Sequence, residues 1–254
     1  MNSDGNLEKI NLAILKFLQG PFYKQFLATH SVLSYQLYTS ILEDPKYNSA
    51  QRLEKYGFKG KSQYDEDGII QEIFRRIGTT SKIFIEIGVG HGTENNTVYL
   101  LANGWSGAWF EKDPNRTTFI EKLFKSAITP GKLKIVREFI DKENVNSLVS
   151  QCFPGEEVDL FSLDIDGNDY HVWKAIDSIK PRVVCIEYNA VFAPPSKWIM
   201  QYNPKHTTTK TDYMGASLQS MYELGLEKGY SLVCCSMTGA NAFFVRNDLI
   251  EDHF

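Results

Sequence analysis

Acidic residues close several short apolar runs of this chain. Ile83-Phe-Ile-Glu86, Gly107-Ala-Trp-Phe-Glu111, Val158-Asp-Leu-Phe-Ser-Leu-Asp164 and Arg182-Val-Val-Cys-Ile-Glu187 each read as a strand with a carboxylate at or near its end. A carboxylate so placed can accept hydrogen bonds from hydroxyls or a cationic amine, or ligate a hard cation. Three alternating glycines, Gly88, Gly90 and Gly92, follow the first run, and glycine lets a backbone turn sharply and approach a ligand without Cβ interference. Strand, glycine loop and an apolar-periodic stretch from Thr93 to Ala102, capped by Asn103-Gly104, read together as a nucleotide site.

Which nucleotide follows from the departures. A dinucleotide fingerprint runs Gly-x-Gly-x-x-Gly, whereas this chain has Gly88-x-Gly90-x-Gly92 with Thr93 in the third glycine's place. Glu86 beside the glycines would repel a pyrophosphate and attract a cationic amine. S-adenosylmethionine carries that amine and no phosphate. Glu111, with Lys112 beside it, stands where a Rossmann-like sheet presents an acid to ribose hydroxyls. Gln63, in a stretch read either as a lid or as a helix start capped by Asp65, Glu66 and Asp67, is a further cofactor candidate, and so is Tyr64. Phe139, after the strand at 133–138, can line an adenine pocket or belong to the core.

Methyl transfer from a sulfonium requires an oriented acceptor that can lose its proton. His171 and His206 are candidate bases, set against surface or capping roles. Asp164 and Asp166, two apart, share a face if the extended strand persists, and Glu187 ends the neighbouring strand. Oxygen ligands of this kind favour Mg²⁺ or Mn²⁺. The competing reading leaves Asp164 alone to touch cofactor or substrate and makes Asp166 and Asp169 a turn and a cap. Mutual repulsion of unpaired acids tilts the balance towards metal.

These residues need a frame to hold them. Strand and helix patterns alternate from residue 60 onward, which predicts an α/β, Rossmann-like sheet with helices on both faces and ligands at the strands' carboxyl edge. The short Met237–Asn241 connection between runs 230–235 and 242–246 predicts an antiparallel pair closing one edge, as in a class I methyltransferase sheet. Residues 190–214, rich in proline and aromatics, are a candidate substrate loop. Residues 1–60 read as a helical hairpin (7–19 and 22–43, broken at Gly20-Pro21) plus a linker, and 61–254 as the enzyme domain. The hairpin's apolar faces need a cover, for which a homodimer contact is one expectation.

At 254 residues, 43% hydrophobic, the chain can bury a sizeable core. A net charge of −4 without a basic run argues against nucleic acid as main partner, and no apolar stretch reaches bilayer length. With no signal-like N-terminus, the expected compartment is the cytoplasm. The four cysteines form no Cys-x-x-Cys pair and are read as core thiols.

Ser62-Gln-Tyr-Asp-Glu-Asp-Gly, Phe84-Ile-Glu-Ile-Gly-Val-Gly-His-Gly, Asp164-Ile-Asp-Gly and Gly239-Ala-Asn-Ala-Phe-Phe-Val-Arg together resemble FkbM-type S-adenosylmethionine-dependent methyltransferases, over roughly residues 60–248. The resemblance implies O-methylation, often of sugars or sugar-nucleotides in bacterial surface polysaccharide or natural-product pathways. Two rivals stand beside it. An NAD-dependent oxidoreductase is disfavoured by Thr93 and the antiparallel end, and a non-catalytic assembly module by the gathered acids, which such a module has no need to keep.

Overall fold

The computed structural model describes residues 20–207, 211–237 and 239–254. Contacts divide the chain into two compact units, Met1–Ser49 and Ala50–Phe254. In the first, an α-helix Pro21–Leu42 and a 3-10 turn Pro45–Tyr47 are described; Gly20 is the extended N-cap of the α-helix and Pro21 its first residue. The expected helix over 7–19 lies outside the described residues. Val32, Leu33, Tyr35 and Leu37 are exposed on the described helix. No helix among the described residues is long and apolar enough to cross a membrane.

The second unit is built on seven strands: β1 Ile83–Ile87, β2 Ser106–Phe110, β3 Leu133–Val136, β4 Leu160–Leu163, β5 Val183–Glu187, β6 Tyr230–Cys235 and β7 Asn241–Arg246. They form one sheet in the order β3-β2-β1-β4-β5-β7-β6. The first five are parallel to one another, and β7 runs antiparallel to both β5 and β6. This is the mostly parallel, Rossmann-like sheet with an antiparallel end that the sequence predicts.

Both faces of the sheet are covered, and the reason lies in the strands' alternation. Ile85, Ala108, Phe161, Val184 and Phe244 belong to one buried cluster with Trp173 and Leu224. Their neighbours Phe84, Trp109, Leu160, Cys185 and Phe243 belong to a second, with Ile69, Ile73 and Val98. Leu53, in the stretch read as linker, is fully buried in that second cluster. Cys152, Cys185 and Cys234 are buried free thiols, and Cys235 is half-buried.

Two helices are shorter than their apolar periodicity indicates: a side chain from elsewhere delays the start of one and ends the other early. The expected helix from Thr93 begins only at Val98, because Glu86 captures the preceding residues. The helix after Asp164 spans Asp169–Ala175 and does not reach Pro181. There Asn146 Oδ1 accepts from Asp177 N and Ser178 N at 2.9 and 3.1 Å, and its Nδ2 donates to Ala175 O at 2.8 Å. Asn146→Ala removes all of these bonds and is expected to lower stability by about 1–2 kcal/mol, measured by urea unfolding, with m unchanged.

The acids Asp65, Glu66 and Asp67 depart from the capping reading. Asp65 is the N-cap of helix Glu66–Ile77 but makes no capping bond. Asp67 Oδ2 instead accepts from the backbone N–H of Gly60, Lys61 and Ser62, at 2.8, 2.5 and 2.8 Å. Glu66 accepts from Tyr64 N and from Asn241 Nδ2, and Asp65 from Met237 N. These acids therefore tie the 57–64 loop and the β6–β7 end to one helix, at the edge where β1 and β4 end.

Candidate functional site

At the carboxyl edge of the sheet two cavities meet. The first, about 310 Å³, is lined by Phe110, Glu111, Lys112, Arg116, Phe139, Ile140, Asp164, Asp166 and His206, among others. The second, about 230 Å³, is lined by Gln63, Glu86, Gly90, His91, Glu94, Asn95, Asn96, Asp164 and Asn241, among others. Gly88 and Asp164 belong to both. Tyr64, considered beside Gln63, is exposed and lines neither.

The glycine loop works differently at its two ends. Gly88 has φ +91°, and a Cβ there would lie 1.6 Å from the carbonyl oxygen of Asp164. Its lack of a side chain serves the approach of the chain to itself, where the sequence indicated approach to a ligand. Gly90, at φ +58°, would meet nothing within 4 Å and faces open space.

Glu86 is buried, and its carboxylate is already engaged. It accepts from Asn95 Nδ2 at 2.6 Å, Asn96 N at 2.8 Å and Thr97 Oγ1 at 2.5 Å. Burial raises its pKa, and these donors oppose the rise. Glu86 is thus the clamp that shapes the loop. Glu111, also buried, accepts from Asp113 N at 2.9 Å and has Arg116 at 3.7 Å. Lys112 sits over the Phe139 ring, 4.9 Å from its centroid, so these two candidates lie together in the wall of the larger cavity.

Asp164, Asp166 and Glu187 come together, with carboxylate oxygens within 4.8 Å of one another. Strand extension is not the cause. β4 ends at Leu163, and Asp166 takes the left-handed conformation, φ +55°, which folds its side chain back towards Asp164. Asp169, fully buried, holds that turn by accepting from Ile165 N and Gly167 N at 2.8 and 2.9 Å. Burial first, and then the neighbouring acids, push Asp164 up to about 7 and Glu187 to about 11; burial pushes Asp169 to about 6. Burial and the neighbouring acids thus disfavour the charged form of Glu187, which shares a hydrogen bond with Asp164. Its Oε2 is buried without a hydrogen-bond partner.

The two histidines part company. His206 lines the larger cavity, its Nε2 3.0 Å from Asp166 O, with its ring on Gly167 where a Cβ would come within 2.3 Å. His171 lines neither cavity; its Nε2 donates to Met200 O at 2.7 Å, and its ring packs against Tyr170 and Tyr202. It is not brought to the crevice because the Asp169–Ala175 helix turns that face towards residues 200–202.

Sequence patterns missed Asn95, Asn96, Asn241, Asn168 and Arg116 as lining residues. The candidate substrate loop is fastened to the Asp164–Asn168 turn: Asn168 Nδ2 donates to Asn203 O at 2.7 Å, and Gly215 N to Gly167 O at 3.1 Å.

No protein-family model matches the chain, and no curated protein sequence does. Solved structures similar to it include an O-methyltransferase family protein from Burkholderia thailandensis, at 13% identity and a TM-score of 0.43, covering 71% of this chain and 58% of that one. Another is magnesium protoporphyrin IX methyltransferase from Synechocystis with bound SAM, at 10% identity and 0.43, covering 83% and 96%. A third is a glycopeptide N-methyltransferase complexed with S-adenosyl-L-homocysteine, at 11% identity and 0.40, covering 70% and 85%.

Proposed function

We propose that the chain is an S-adenosylmethionine-dependent O-methyltransferase. The observation that carries this reading is the charge of the smaller cavity: its described lining has Glu86, Glu94 and Asp164 and neither lysine nor arginine. Such a cavity favours the cationic amino-acid end of that cofactor and disfavours the pyrophosphate of a dinucleotide. Glu111 and the apolar wall of Phe110, Phe139 and Ile140 in the adjoining cavity suit ribose hydroxyls and adenine. Calorimetric titration tests it: S-adenosylhomocysteine is expected to bind and NAD is not, and the reverse order would transfer the chain to the oxidoreductase reading. Glu111→Ala is expected to weaken S-adenosylhomocysteine about tenfold in the same titration.

S-adenosylmethionine, when bound, supplies a methyl group on a sulfonium. The chain's own part is to orient the acceptor and take its proton, and Asp164 and His206 stand at the wall where both tasks fall. Asp164, Asp166 and Glu187 also fit a divalent ion of the Mg²⁺ or Mn²⁺ kind, being oxygen donors within 4.8 Å and including the partnerless Glu187 Oε2. An ion held there would lower the pKa of an acceptor hydroxyl.

The acceptor in this reading is a hydroxyl of a sugar or sugar-nucleotide, as the FkbM likeness implies, in surface polysaccharide or natural-product synthesis. The loop fastened to the acid turn supports it, because Phe192 and Trp198 stack at 4.5 Å with Tyr213 edge-on to Trp198, a surface of the kind that receives sugar faces. Radiolabelled methyl transfer to sugar nucleotides, with and without Mg²⁺, is the direct assay.

A further inference from the structure

A third cavity lies apart from the two at the carboxyl edge and shares no lining residue with them. It encloses about 190 Å³ and is lined by Tyr170, Lys197, Trp198, Ser220, Glu223 and Glu227, among others. Tyr170 comes from helix Asp169–Ala175, the two acids from helix Leu218–Lys228, and Lys197 and Trp198 from the candidate substrate loop.

The cavity combines a fixed aromatic ring with acids that have acceptor capacity to spare. Phe192 stacks on Trp198 at 4.5 Å and Tyr213 meets it edge-on at 5.6 Å, so the indole is held in place before any ligand arrives. Glu223 accepts from Lys197 Nζ at 2.7 Å and Gln219 Nε2 at 2.9 Å, both on Oε1, which leaves Oε2 without a donor among the described residues. Those two bonds hold its pKa below the ordinary value, so it is an acceptor at neutral pH. Glu227, four residues on and therefore on the same helix face, has no hydrogen-bond or ion-pair partner among the described residues.

A pyranose fits these surroundings: its apolar C–H face packs on aromatic rings, and its hydroxyls donate to carboxylates. Two carboxylates against one ammonium disfavour an acidic sugar. The cavity also neighbours the candidate reaction centre. Asn168 lines the larger cavity and Tyr170 lines this one, and two residues of chain place their Cα atoms at most about 7 Å apart.

We propose that this cavity is a subsite for a neutral hexopyranose unit that is not itself methylated, and that the acceptor is a saccharide of two or more units. The acceptor role rests on the methyltransferase reading; the binding of a hexose does not.

NMR titration of the full chain tests it with methyl β-D-glucopyranoside, methyl β-D-galactopyranoside, methyl α-D-mannopyranoside and methyl β-D-glucuronide. At least one of the three neutral glycosides is expected to bind with a Kd on the order of 1–10 mM, unchanged within about twofold by saturating S-adenosylhomocysteine. The double variant Glu223→Ala/Glu227→Ala is expected to weaken that glycoside about tenfold and Tyr170→Leu about fivefold, while S-adenosylhomocysteine stays within about twofold. Binding of none of the three by a chain that binds S-adenosylhomocysteine overturns the subsite and leaves the methyltransferase reading standing. Glycoside binding by a chain that binds no S-adenosylhomocysteine overturns that reading and the acceptor role, and supports the hexose site. Affinity unchanged in both folded variants overturns the subsite, and so does a glucuronide bound as tightly as the neutral glycosides. Should a variant not fold, competition on the unaltered protein decides: displacement of the glycoside by S-adenosylhomocysteine puts the sugar in the crevice and overturns the subsite.

Discussion

Gly88→Ala is expected to destabilise the chain by about 2–5 kcal/mol and to reduce S-adenosylhomocysteine binding by more than about a hundredfold. The new methyl would sit 1.6 Å from Asp164 O and 2.7 Å from Asp164 C, at a φ of +91° that costs an L-residue about 1–2 kcal/mol by itself. Neither group can yield locally. Asp164 N donates to Ile87 O at 3.1 Å, and Gly88 N to Phe110 O at 3.0 Å, so the ends of β1, β2 and β4 must separate together. Both cavities share Gly88 and Asp164, and both lose their common wall. By thermal melting, Tm should fall by about 10 °C. Gly90→Ala is the control: it has a left-handed φ of +58° but open space around its Cβ, so only about 1–2 kcal/mol is expected. Equal melting of the two variants would refute the close-approach explanation.

Asp164→Asn is expected to reduce methyl transfer by about a thousandfold or more while leaving the fold intact or more stable. In the proposed function activity depends on a carboxylate at the junction of the cavities, whereas the fold is stabler with that group neutral. Asp164 and Glu187 are raised to about 7 and about 11 by burial and by the neighbouring acids, and Asp169 and Asp65 each to about 6 by burial. The folded chain holds protons that the unfolded chain has released, so unfolding releases protons and stability falls as pH rises. This contribution is fully present below the ordinary carboxylate range, and it is lost as pH climbs through the raised values. Tm is expected to drop from about pH 5 to about pH 8, and Asp164→Asn to flatten that slope. A Tm that rises over the interval would mean that these acids are stabilised as anions. An accompanying loss of folded Asp164→Asn protein would make the residue structural.

The order of elements, the antiparallel end and the gathering of acids at one edge were legible because they are local: alternation, turn residues and strand-end carboxylates lie in windows of a few residues. What was not legible is carried by partners distant in sequence. Asn95 and Asn241 look like loop residues until Glu86 and Glu66 orient them. The start of the helix at Val98 reflects Glu86 outcompeting a helical pattern, and the end of the helix at Ala175 reflects Asn146 doing the same. Asp166 was paired with Asp164 by assuming an extended strand. The pairing exists through a left-handed turn that Asp169 enforces, a conformation its own side chain gives no pattern for. His171 carried the right chemistry and the wrong direction, since helical phase near a short helix's start is set by its neighbours.

A crystal structure of the chain with S-adenosylhomocysteine tests the central claim most directly. The adenosine is expected between Glu111 and Phe139, the sulfur at the Gly88–Asp164 junction and the amino-acid end in the smaller cavity. Adenosine bound outside these two cavities, or the amino-acid end directed away from the smaller one, would contradict it.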